Sequence, residues 1–428
     1  MRNEKTAVVN EVGARATPAT GWRGSFGIVC LQLCFIWAAM AVISLAQTRS
    51  TAPSYSVLYN FTGGADGANP YAGLVADGVG NLYGTTSAGG DLTGCSGYGC
   101  GVAFKLDPSG KETVLNTFSG GADGSSPEAG LIRGASANLY GTTFGGGAYG
   151  AGVVFKLDSS GNETVLYAFT GGADGANPQA GLVADEAGNF YGTTDWGGNL
   201  SACSGFGGCG TVFKLEASGT ETALYTFNGG ADGFAPYGGL VRDTAGNLYG
   251  TTAYGGAGCE FCGVVFQVTP SGNETVLYTF TGGADGSSPA DEVLIRDRAG
   301  NLYGTTVSGG DLSGCGGSGC GVVFKLDRSG NETVLYAFTG GADGANPYTG
   351  LVGDGVGNFY GTTAFGGESD DGVVFKQDRS GKYSVLHTFN GADGVNPPGR
   401  LLLYKGSLYG TTYGGGTYGA GVVFKVHM

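Results

Sequence analysis

Residues 64–86 read GADGANPYAGLVADGVGNLYGTT, and the same unit returns along the chain with small changes. Its NLYGTT segment, or a close variant, begins at Asn81, Asn138, Asn189, Asn247, Asn301, Asn358 and Ser407. The glycines of these segments are separated by 57, 51, 58, 54, 57 and 49 residues. A period of about 50 residues holds four short strands with their turns, so the chain carries seven copies of a small β-sheet unit.

Each unit contains four pieces with the composition of β-strands. In the first unit they are GLVAD at 73–77, NLYGTT at 81–86, GVAFKLD at 101–107 and ETVLNTF at 112–118. β-Branched and aromatic residues fill these pieces, and Gly, Asn, Asp and Pro separate them. The short D-x-x-G-N and D-x-S-G-(N/K) connections are typical of tight hairpins. Consecutive strands are therefore expected to pair antiparallel.

The two ends of the repeat array complement each other. The last unit stops after GVVFKV at 421–426, whereas YSVLYNF at 55–61 is an extra copy of the missing fourth strand. The sequence therefore predicts an all-β fold over residues 55–428, a seven-bladed β-propeller of four-stranded antiparallel blades closed by the N-terminal strand. A parallel β-helix is the alternative, since GGADG is similar to a calcium-binding nonapeptide, but coils of that fold recur every 9 to 20 residues or so.

The unit at 64–86, followed by GVAFKLD, resembles the GloVer tandem repeat of bacterial choice-of-anchor proteins. The resemblance extends over residues 55–427. The D-x-x-G-N-x-Y segment is also similar to that of NHL-type β-propellers, over a much shorter stretch. The GloVer resemblance implies an exported bacterial protein, and it carries over no catalytic or binding residue.

The N-terminal segment differs from the repeats. Basic residues precede an apolar run at 26–45, and Ser44-Leu45-Ala46 provides the small residues of a signal-peptidase site. We therefore predict a signal peptide at 1–46, a short linker at 47–54, and a protein that is secreted or held at the cell envelope. An uncleaved membrane anchor is the alternative, since the run approaches the length of about 20 residues that spans a bilayer.

Composition limits the function classes. The chain has 35 acidic and 21 basic residues, a net charge of −14, which disfavours nucleic acid as a partner. It holds two histidines, His387 and His427, and it lacks the G-x-S-x-G, H-E-x-x-H and phosphate-loop motifs. These features favour a noncatalytic protein that needs no cofactor.

Eight cysteines lie in the loops that follow YGTT, two in each of four loops. Those loops have 14, 15, 10 and 14 residues, whereas the three loops without cysteine have 8 each. Paired cysteines in an exported protein favour disulfides, which would pinch each lengthened loop at its base. Metal binding is the alternative for Cys259 and Cys262. The predicted pairs are Cys95 with Cys100, Cys203 with Cys209, Cys259 with Cys262 and Cys315 with Cys320.

The longer loops of such a propeller share one face, opposite the tight hairpins. Aromatic residues in these loops are the candidate binding residues, with ordinary loop packing as the alternative. They are Tyr98, Tyr149, Trp196, Phe206, Tyr254, Phe261, Phe365, Tyr413 and Tyr418. The acidic residues that depart from the repeat on or near this face are Glu128, Asp195, Glu260, Asp291, Glu292, Glu368, Asp370 and Asp371.

Each GGADG segment contributes one aspartate to the same face. Aspartate in such a turn commonly accepts hydrogen bonds from its own backbone, and calcium binding is the alternative role. The seven aspartates are Asp66, Asp123, Asp174, Asp232, Asp285, Asp343 and Asp393.

The sequence thus favours an exported, noncatalytic β-propeller that binds a glycan or a protein through its loop-rich, disulfide-stapled face. One alternative is an extracellular carbohydrate-active enzyme that uses two of the acidic residues. Another is a structural envelope protein without a ligand. We expect a monomer that meets a membrane only through an uncleaved N-terminal segment, with no cofactor other than calcium, which is left open.

Overall fold

In the computed structural model, the described residues are 53–257, 259–289 and 293–428. They form seven sheets of four antiparallel strands, and in six of these sheets the strand order follows the chain order. The sheets are the blades of a ring, numbered 1 to 7 from residue 75 onward. The predicted signal peptide lies outside the described residues.

The four strands of each blade are described by their order from the axis outward. The first strands are Val75–Ala76, Ile132–Arg133, Val183–Ala184, Val241–Arg242, Ile295–Arg296, Val352–Gly353 and Leu402–Tyr404. The second strands are Leu82–Thr86, Leu139–Thr143, Phe190–Thr194, Leu248–Thr252, Leu302–Thr306, Phe359–Thr363 and Ser407–Thr412. The third strands are Val102–Leu106, Val153–Leu157, Thr211–Leu215, Val264–Val268, Val322–Leu326, Val373–Gln377 and Val422–His427. The fourth strands are Glu112–Thr117, Glu163–Ala168, Glu221–Thr226, Glu274–Thr279, Glu332–Ala337, Tyr383–Thr388 and, for blade 7, Ser54–Asn60.

Short 3-10 turns interrupt three connections. They are Cys95–Gly97, Ala135–Ala137 and Cys315–Gly317. Two of them lie in cysteine-containing loops and one lies in a hairpin, so none displaces a strand from the repeat.

The ring is closed by the two ends of the repeat array. Ser54–Asn60 pairs antiparallel with Val422–His427, and Tyr55 lies opposite Val426. Across the same junction, Thr411 Oγ1 donates a hydrogen bond of 2.9 Å to the Ala72 carbonyl oxygen. The predicted seven-bladed propeller and its closure by the N-terminal strand are confirmed, and the parallel β-helix is excluded.

The GTT part of the repeat has a packing role at each position. A Cβ atom on Gly84 would lie 2.8 Å from the Phe104 ring, so glycine is needed for the ring to cross the strand. The Thr85 hydroxyl donates to the Ala129 carbonyl of the next blade at 3.1 Å. The Thr86 hydroxyl donates to a carbonyl of the following loop at 2.8 Å. The motif therefore joins neighbouring blades and fixes the start of the loop.

Phenylalanine pairs fill the interfaces between blades. Phe61, which follows the fourth strand of blade 7, meets the third-strand Phe104 of blade 1 edge to face at 5.1 Å. Both rings are fully buried, and burying such a side chain stabilises a fold by about 1.5–3 kcal/mol. The same contact recurs in Phe118–Phe155, Phe169–Phe213, Phe227–Phe266, Phe280–Phe324, Phe338–Phe375 and Phe389–Phe424.

Candidate functional site

The GGADG loops and the loops after YGTT lie on the same face of the ring. Within each unit the two loops meet through a short β-bridge, such as Ala176 with Trp196 and Phe234 with Tyr254. The other bridges of this kind are Ala68–Ala88, Ser125–Gly145, Ser287–Ser308, Ala345–Phe365 and Val395–Gly414. The loop face that the sequence predicted is therefore a real surface of the fold.

A central channel opens on this face. Its body has a volume of about 510 Å³ and is lined by the first strands and the segments before them. Its mouth, of about 430 Å³, is lined by the residues that follow the proline in five of the GGADGxxP loops, together with residues that follow YGTT. Of the seven post-proline positions, six line the channel or its mouth, namely Tyr71, Glu128, Gln179, Tyr237, Tyr348 and Pro398. The seventh, Ala290, lies outside the described residues.

The backbone before each proline fixes these mouth residues. Asn69 adopts a left-handed conformation with φ of 54°, which asparagine tolerates well. Its side-chain amide donates to the Tyr413 carbonyl of blade 7 at 2.9 Å. Asn177 repeats the conformation and donates to the Phe144 carbonyl at 2.8 Å. The mouth residues thus follow turns that are hydrogen-bonded to the neighbouring blade.

Two polar mouth residues from adjacent blades form a pair. Gln179 Nε2 donates to Glu128 Oε2 at 3.0 Å. Burial raises the pKa of the Glu128 carboxyl to about 6, although the hydrogen bond from Gln179 acts in the opposite direction. Asp195, which follows YGTT in blade 3, also lines the mouth and is 1% exposed. Two carboxyl groups from adjacent blades therefore line one opening.

Four of the predicted aromatic residues form one continuous cluster beside the mouth, here called the aromatic ridge: Trp196, Phe206, Tyr254 and Phe261. Trp196 stacks on Phe206 with centroids 5.7 Å apart, and Phe206 lies 6.4 Å from Tyr254. Tyr254 meets Phe261 edge to face at 5.7 Å. The ring of Tyr237 lies 6.0 Å from both Trp196 and Tyr254, so the ridge joins the mouth directly.

The other predicted aromatic residues are scattered around the rim. Tyr413 lies 6.2 Å from Tyr71 at the edge of the mouth. The rest are exposed and are not among the described residues that line the channel or its mouth. They are Tyr98, Tyr149, Phe365 and Tyr418.

Of the acidic residues singled out by sequence, Glu128 and Asp195 line the mouth. Asp291 and Glu292 lie outside the described residues. The remaining four are not among the described residues that line either space, namely Glu260, Glu368, Asp370 and Asp371.

Sequence analysis missed three tyrosines and one glutamine of the mouth. Tyr71, Tyr237, Tyr348 and Gln179 all occupy the post-proline position. The signal was present in the sequence, because this position reads Tyr, Glu, Gln, Tyr, Ala, Tyr and Pro, whereas the residue before it is proline in all seven copies. Variation between copies marks a position that the shared fold does not constrain.

Four disulfides join the predicted cysteine pairs. Cys203 and Cys209, with Cα atoms 5.2 Å apart, close the loop that carries Phe206. Both sulfurs approach Gly229 of the neighbouring GGADG loop, where a Cβ atom would lie 2.5 Å from Cys203 Sγ. The disulfide therefore fixes the loop that supplies the centre of the aromatic ridge.

The GGADG aspartates bond to their own turns. The carboxylate of Asp174 accepts hydrogen bonds from the Tyr167 hydroxyl at 3.0 Å and from the Thr170 backbone N–H at 2.7 Å. In the described ranges, no group of three or more His, Cys, Asp or Glu side chains is placed to hold a metal ion. These contacts account for the aspartates as turn residues, and calcium binding stays a prediction.

Residues 91–317 and 295–428 match the family model described as the Gloeobacter/Verrucomicrobia repeat. The chain belongs to this family. The GloVer resemblance drawn from the repeat unit is thereby confirmed. Among curated proteins, no sequence matches the chain significantly.

Several solved structures resemble this Gloeobacter/Verrucomicrobia repeat protein at low identity. A putative 6-phosphogluconolactonase from Bacteroides uniformis is 17% identical over 72% of this chain and 84% of its own, with a TM-score of 0.46. A luciferin-regenerating enzyme is 14% identical over 88% and 96% of the two chains, with a TM-score of 0.46. A puromycin hydrolase is 13% identical over 82% and 52%, with a TM-score of 0.50. At these identities the similarities concern the fold alone.

The disulfides also bear on the compartment of the Gloeobacter/Verrucomicrobia repeat protein. Four disulfides in one chain are typical of an oxidising, extracellular environment. Across residues 53–257, 259–289 and 293–428, no helix has the length and apolarity that crossing a bilayer requires.

Proposed function

We propose that the protein is exported and binds a glycan at the mouth of its central channel. The observation that carries the proposal is the mixed character of the mouth, where Tyr71, Tyr237 and Tyr348 surround the pair of Glu128 and Gln179. Sugars present apolar C–H faces that pack on aromatic rings, and hydroxyl groups that bond to carboxylate and amide side chains. A concave opening with both kinds of group suits a sugar ring.

The aromatic ridge supports a ligand longer than one sugar. It begins beside the mouth at Trp196 and Tyr254, which contact Tyr237, and it extends outward to Phe206 and Phe261. Phe206 and Phe261 are 43% and 56% exposed, so their faces are available to a ligand. A chain whose end occupies the mouth has this row of rings beside it. We assign the ridge to the adjoining sugars of that chain.

A glycan is favoured over a protein partner by the shape of the site. The mouth is a pocket of about 430 Å³ within a ring of loops. Protein interfaces are usually broad and bury about 800 Å² on each partner. Export is favoured by the four disulfides and by the apolar segment at 26–45 that follows basic residues.

Binding of the exported protein to arrayed oligosaccharides tests the proposal. We expect Tyr237→Ala and Glu128→Gln each to weaken binding by about tenfold or more, because each removes a contact from the pocket itself. Tyr149→Ala is the matched control, since this ring is 66% exposed and lies away from the mouth. Unchanged binding in both mouth variants would place the site elsewhere, and failure to bind any glycan would reject the ligand class.

Hydrolysis of a glycosidic bond is a second candidate, favoured by one observation. Burial raises the pKa of Glu128 to about 6, which suits a carboxyl group that donates a proton near neutral pH. Asp195 is a second carboxyl group at the same opening. If this function holds, polysaccharides incubated with the protein gain new reducing ends, and Glu128→Gln abolishes the gain. If the protein binds a polysaccharide and no new reducing ends form, the result supports the noncatalytic binding function.

A further inference from the structure

Near the start of each fourth strand, one residue occupies the same place in every blade. It pairs with the fifth residue of the third strand, as Glu221 does with Leu215 and Tyr383 with Gln377. This place, here called the junction position, is occupied by Glu112, Glu163, Glu221, Glu274, Glu332, Tyr383 and Tyr55. Five blades therefore have glutamate where the other two have tyrosine.

The two tyrosines show what the junction position does. The Tyr383 hydroxyl donates to the backbone carbonyl of Asp343 at 2.5 Å, and the Tyr55 hydroxyl donates to that of Asp393 at 2.6 Å. Each of these aspartates belongs to the GADG turn that leads from the previous blade into the same blade. The Tyr383 ring also stacks on Tyr336 of blade 5, with centroids 3.9 Å apart. A donor at the junction position therefore joins its blade to a turn of the loop face, beside the previous blade.

The five glutamates face the same turns, but a carboxylate has no proton to donate. Glu221 lies close to Asp174, the counterpart of Asp343, and to Tyr167, the counterpart of Tyr336. Its Oε1 atom is buried and has no hydrogen-bond partner among the described residues. The same is true of Oε1 in Glu112, Glu163, Glu274 and Glu332. Leaving a buried polar atom unpaired is costly, so five such atoms at equivalent places point to one shared cause.

The groups that face these glutamates are carboxyl, phenol and amide groups. They are Asp66 and Tyr59 for Glu112, Asp123 and Asn116 for Glu163, Asp174 and Tyr167 for Glu221, Asp232 and Tyr225 for Glu274, and Asp285 and Tyr278 for Glu332. Among the described residues, no lysine or arginine contributes to the pKa of these five carboxyl groups. Burial, followed by the aspartate, raises the pKa of each to about 7. The surroundings thus favour the neutral acid, which has an O–H group to donate.

We propose that each of the five glutamates is a neutral carboxylic acid whose O–H donates to the backbone carbonyl of the GADG aspartate, so that loss of a proton opens this contact in five blades. The acid does in blades 1 to 5 what the tyrosine hydroxyl does in blades 6 and 7. When the proton passes to water, the carboxylate oxygen faces a carbonyl oxygen and the aspartate carboxylate, and both repel it. Burial raises the pKa of Tyr55 and Tyr383 above the usual range, so their hydrogen bonds persist. The loop face therefore loosens in five blades above neutral pH, while the junction that closes the ring is kept.

An NMR titration of the Asp174 backbone carbonyl carbon tests this inference in the intact protein. A hydrogen bond to a carbonyl oxygen alters the chemical shift of its carbon, so we expect the Asp174 signal to move together with the titration of Glu221, at a pH of about 7. The Asp343 carbonyl is the internal control, because its Tyr383 donor keeps its proton over this range. In Glu221→Gln the Asp174 signal is expected to stay constant, since the amide N–H donates at every pH. If Glu221 titrates without a response at Asp174, or is already ionised at a pH of about 5, the inference is overturned.

Stability measurements on matched variants separate a hydrogen-bond donor from a side chain that is merely buried. At a pH of about 5, Glu221→Gln is expected to unfold like the wild type, whereas Glu221→Met, which has no donor, raises the unfolding equilibrium constant about fivefold or more. At a pH of about 8, Glu221→Gln is expected to lower this constant about tenfold relative to the wild type, because glutamine does not ionise. Glu186→Gln and Glu186→Met, at an exposed turn, are the controls and leave the constant unchanged. Equal stability of the two Glu221 variants at the lower pH would contradict the donated hydrogen bond.

An exchange of residues between blades provides the reverse test, and it decides the matter if Glu221→Met does not fold. Glu221→Tyr gives blade 3 the donor of blade 6, so the Asp174 carbonyl signal is expected to become independent of pH. Tyr383→Glu gives blade 6 the acid, so the Asp343 carbonyl signal is expected to acquire a titration near neutral pH. An Asp343 signal that stays constant in folded Tyr383→Glu overturns the inference.

Discussion

Gln179 Nε2 and Glu128 Oε2 are 3.0 Å apart, although 51 residues separate them in the chain. They meet because both occupy the post-proline position of adjacent blades, and the repeat places that position at the channel mouth. The hydrogen bond from the Gln179 side-chain amide favours the charged form of the Glu128 carboxyl group, while burial favours the neutral form. The pKa of Glu128 therefore depends first on its burial and in part on a residue of the neighbouring blade.

Gln179→Ala is expected to raise the pKa of Glu128 further above its ordinary value. The substitution removes the hydrogen bond that lowers this pKa and leaves the burial that raises it. The measurement is an NMR titration of the Glu128 side-chain carbon, compared with the same titration in Asn199→Ala, which alters an amide outside the mouth. A pKa of Glu128 that falls or stays constant in Gln179→Ala would contradict this account.

Removing the Cys203–Cys209 disulfide with paired alanine substitutions is expected to weaken ligand binding. Phe206 lies between the two cysteines and stacks on Trp196, so release of the loop disorders the centre of the aromatic ridge. The entropic model for a closed loop of this size gives about 2 kcal/mol of lost stability. Affinity and the thermal unfolding midpoint are the measurements.

The Cys95–Cys100 disulfide provides the matched control for that experiment. Its loop carries Tyr98, which is 77% exposed and does not line the mouth. Paired alanine substitution there is expected to cost a similar amount of stability without loss of affinity. Equal affinity losses in the two double variants would mean that the ridge has no special part in binding.

Stability is expected to fall as the pH rises from about 4.5 to 7. Five glutamates begin the fourth strands of blades 1 to 5, and burial, followed by a nearby aspartate, raises the pKa of each to about 7: Glu112, Glu163, Glu221, Glu274 and Glu332. In the unfolded chain a glutamate titrates near 4.5, so the folded state binds these protons more tightly between the two values. The stabilisation is complete below 4.5 and is lost as the pH passes through 7.

Aspartates in the hairpin turns determine how far the pH can fall before the folded state loses stability. Although burial acts against it, hydrogen bonds from Asn81 and Gly80 lower the pKa of Asp77 to about 2. This contribution is present above the ordinary value of 3.8 and is lost as the pH falls toward 2. The thermal unfolding midpoint is therefore expected to peak near pH 4–5, at about the point where both contributions are retained. Glu221→Gln is expected to flatten the decline above the peak, whereas Glu186→Gln, at an exposed turn, leaves it unchanged.

Asp174→Ala is expected to destabilise the protein by about 1–3 kcal/mol, because it leaves the Tyr167 hydroxyl and the Thr170 N–H without their acceptor. The same turn contacts predict that a calcium chelator leaves the thermal unfolding midpoint unchanged. A midpoint that rises with added calcium, and a rise that Asp174→Ala diminishes, would instead establish these aspartates as ligands.

The blades could be predicted because each depends on local features that recur. Strand composition, tight turns and a period of about 50 residues leave few arrangements, and the orphan strand at 55–61 matches the strand absent after 426. The site was predicted in part. The loop sequences identified the four residues of the aromatic ridge, namely Trp196, Phe206, Tyr254 and Phe261. Their contact with Tyr237 depends on packing between blades, which no local sequence pattern indicates.

The sequence by itself determined the number of blades, the strand that closes the ring, the cysteine pairs and the face that carries the long loops. Each follows from spacing along the chain. Only the tertiary structure decided that post-proline residues line the mouth and that the aromatic ridge joins it through Tyr237. The distance of a residue from the ring axis depends on which strand of its blade lies innermost. Strands that are packed on both faces show no alternation of apolar and polar residues, so the sequence does not indicate that order.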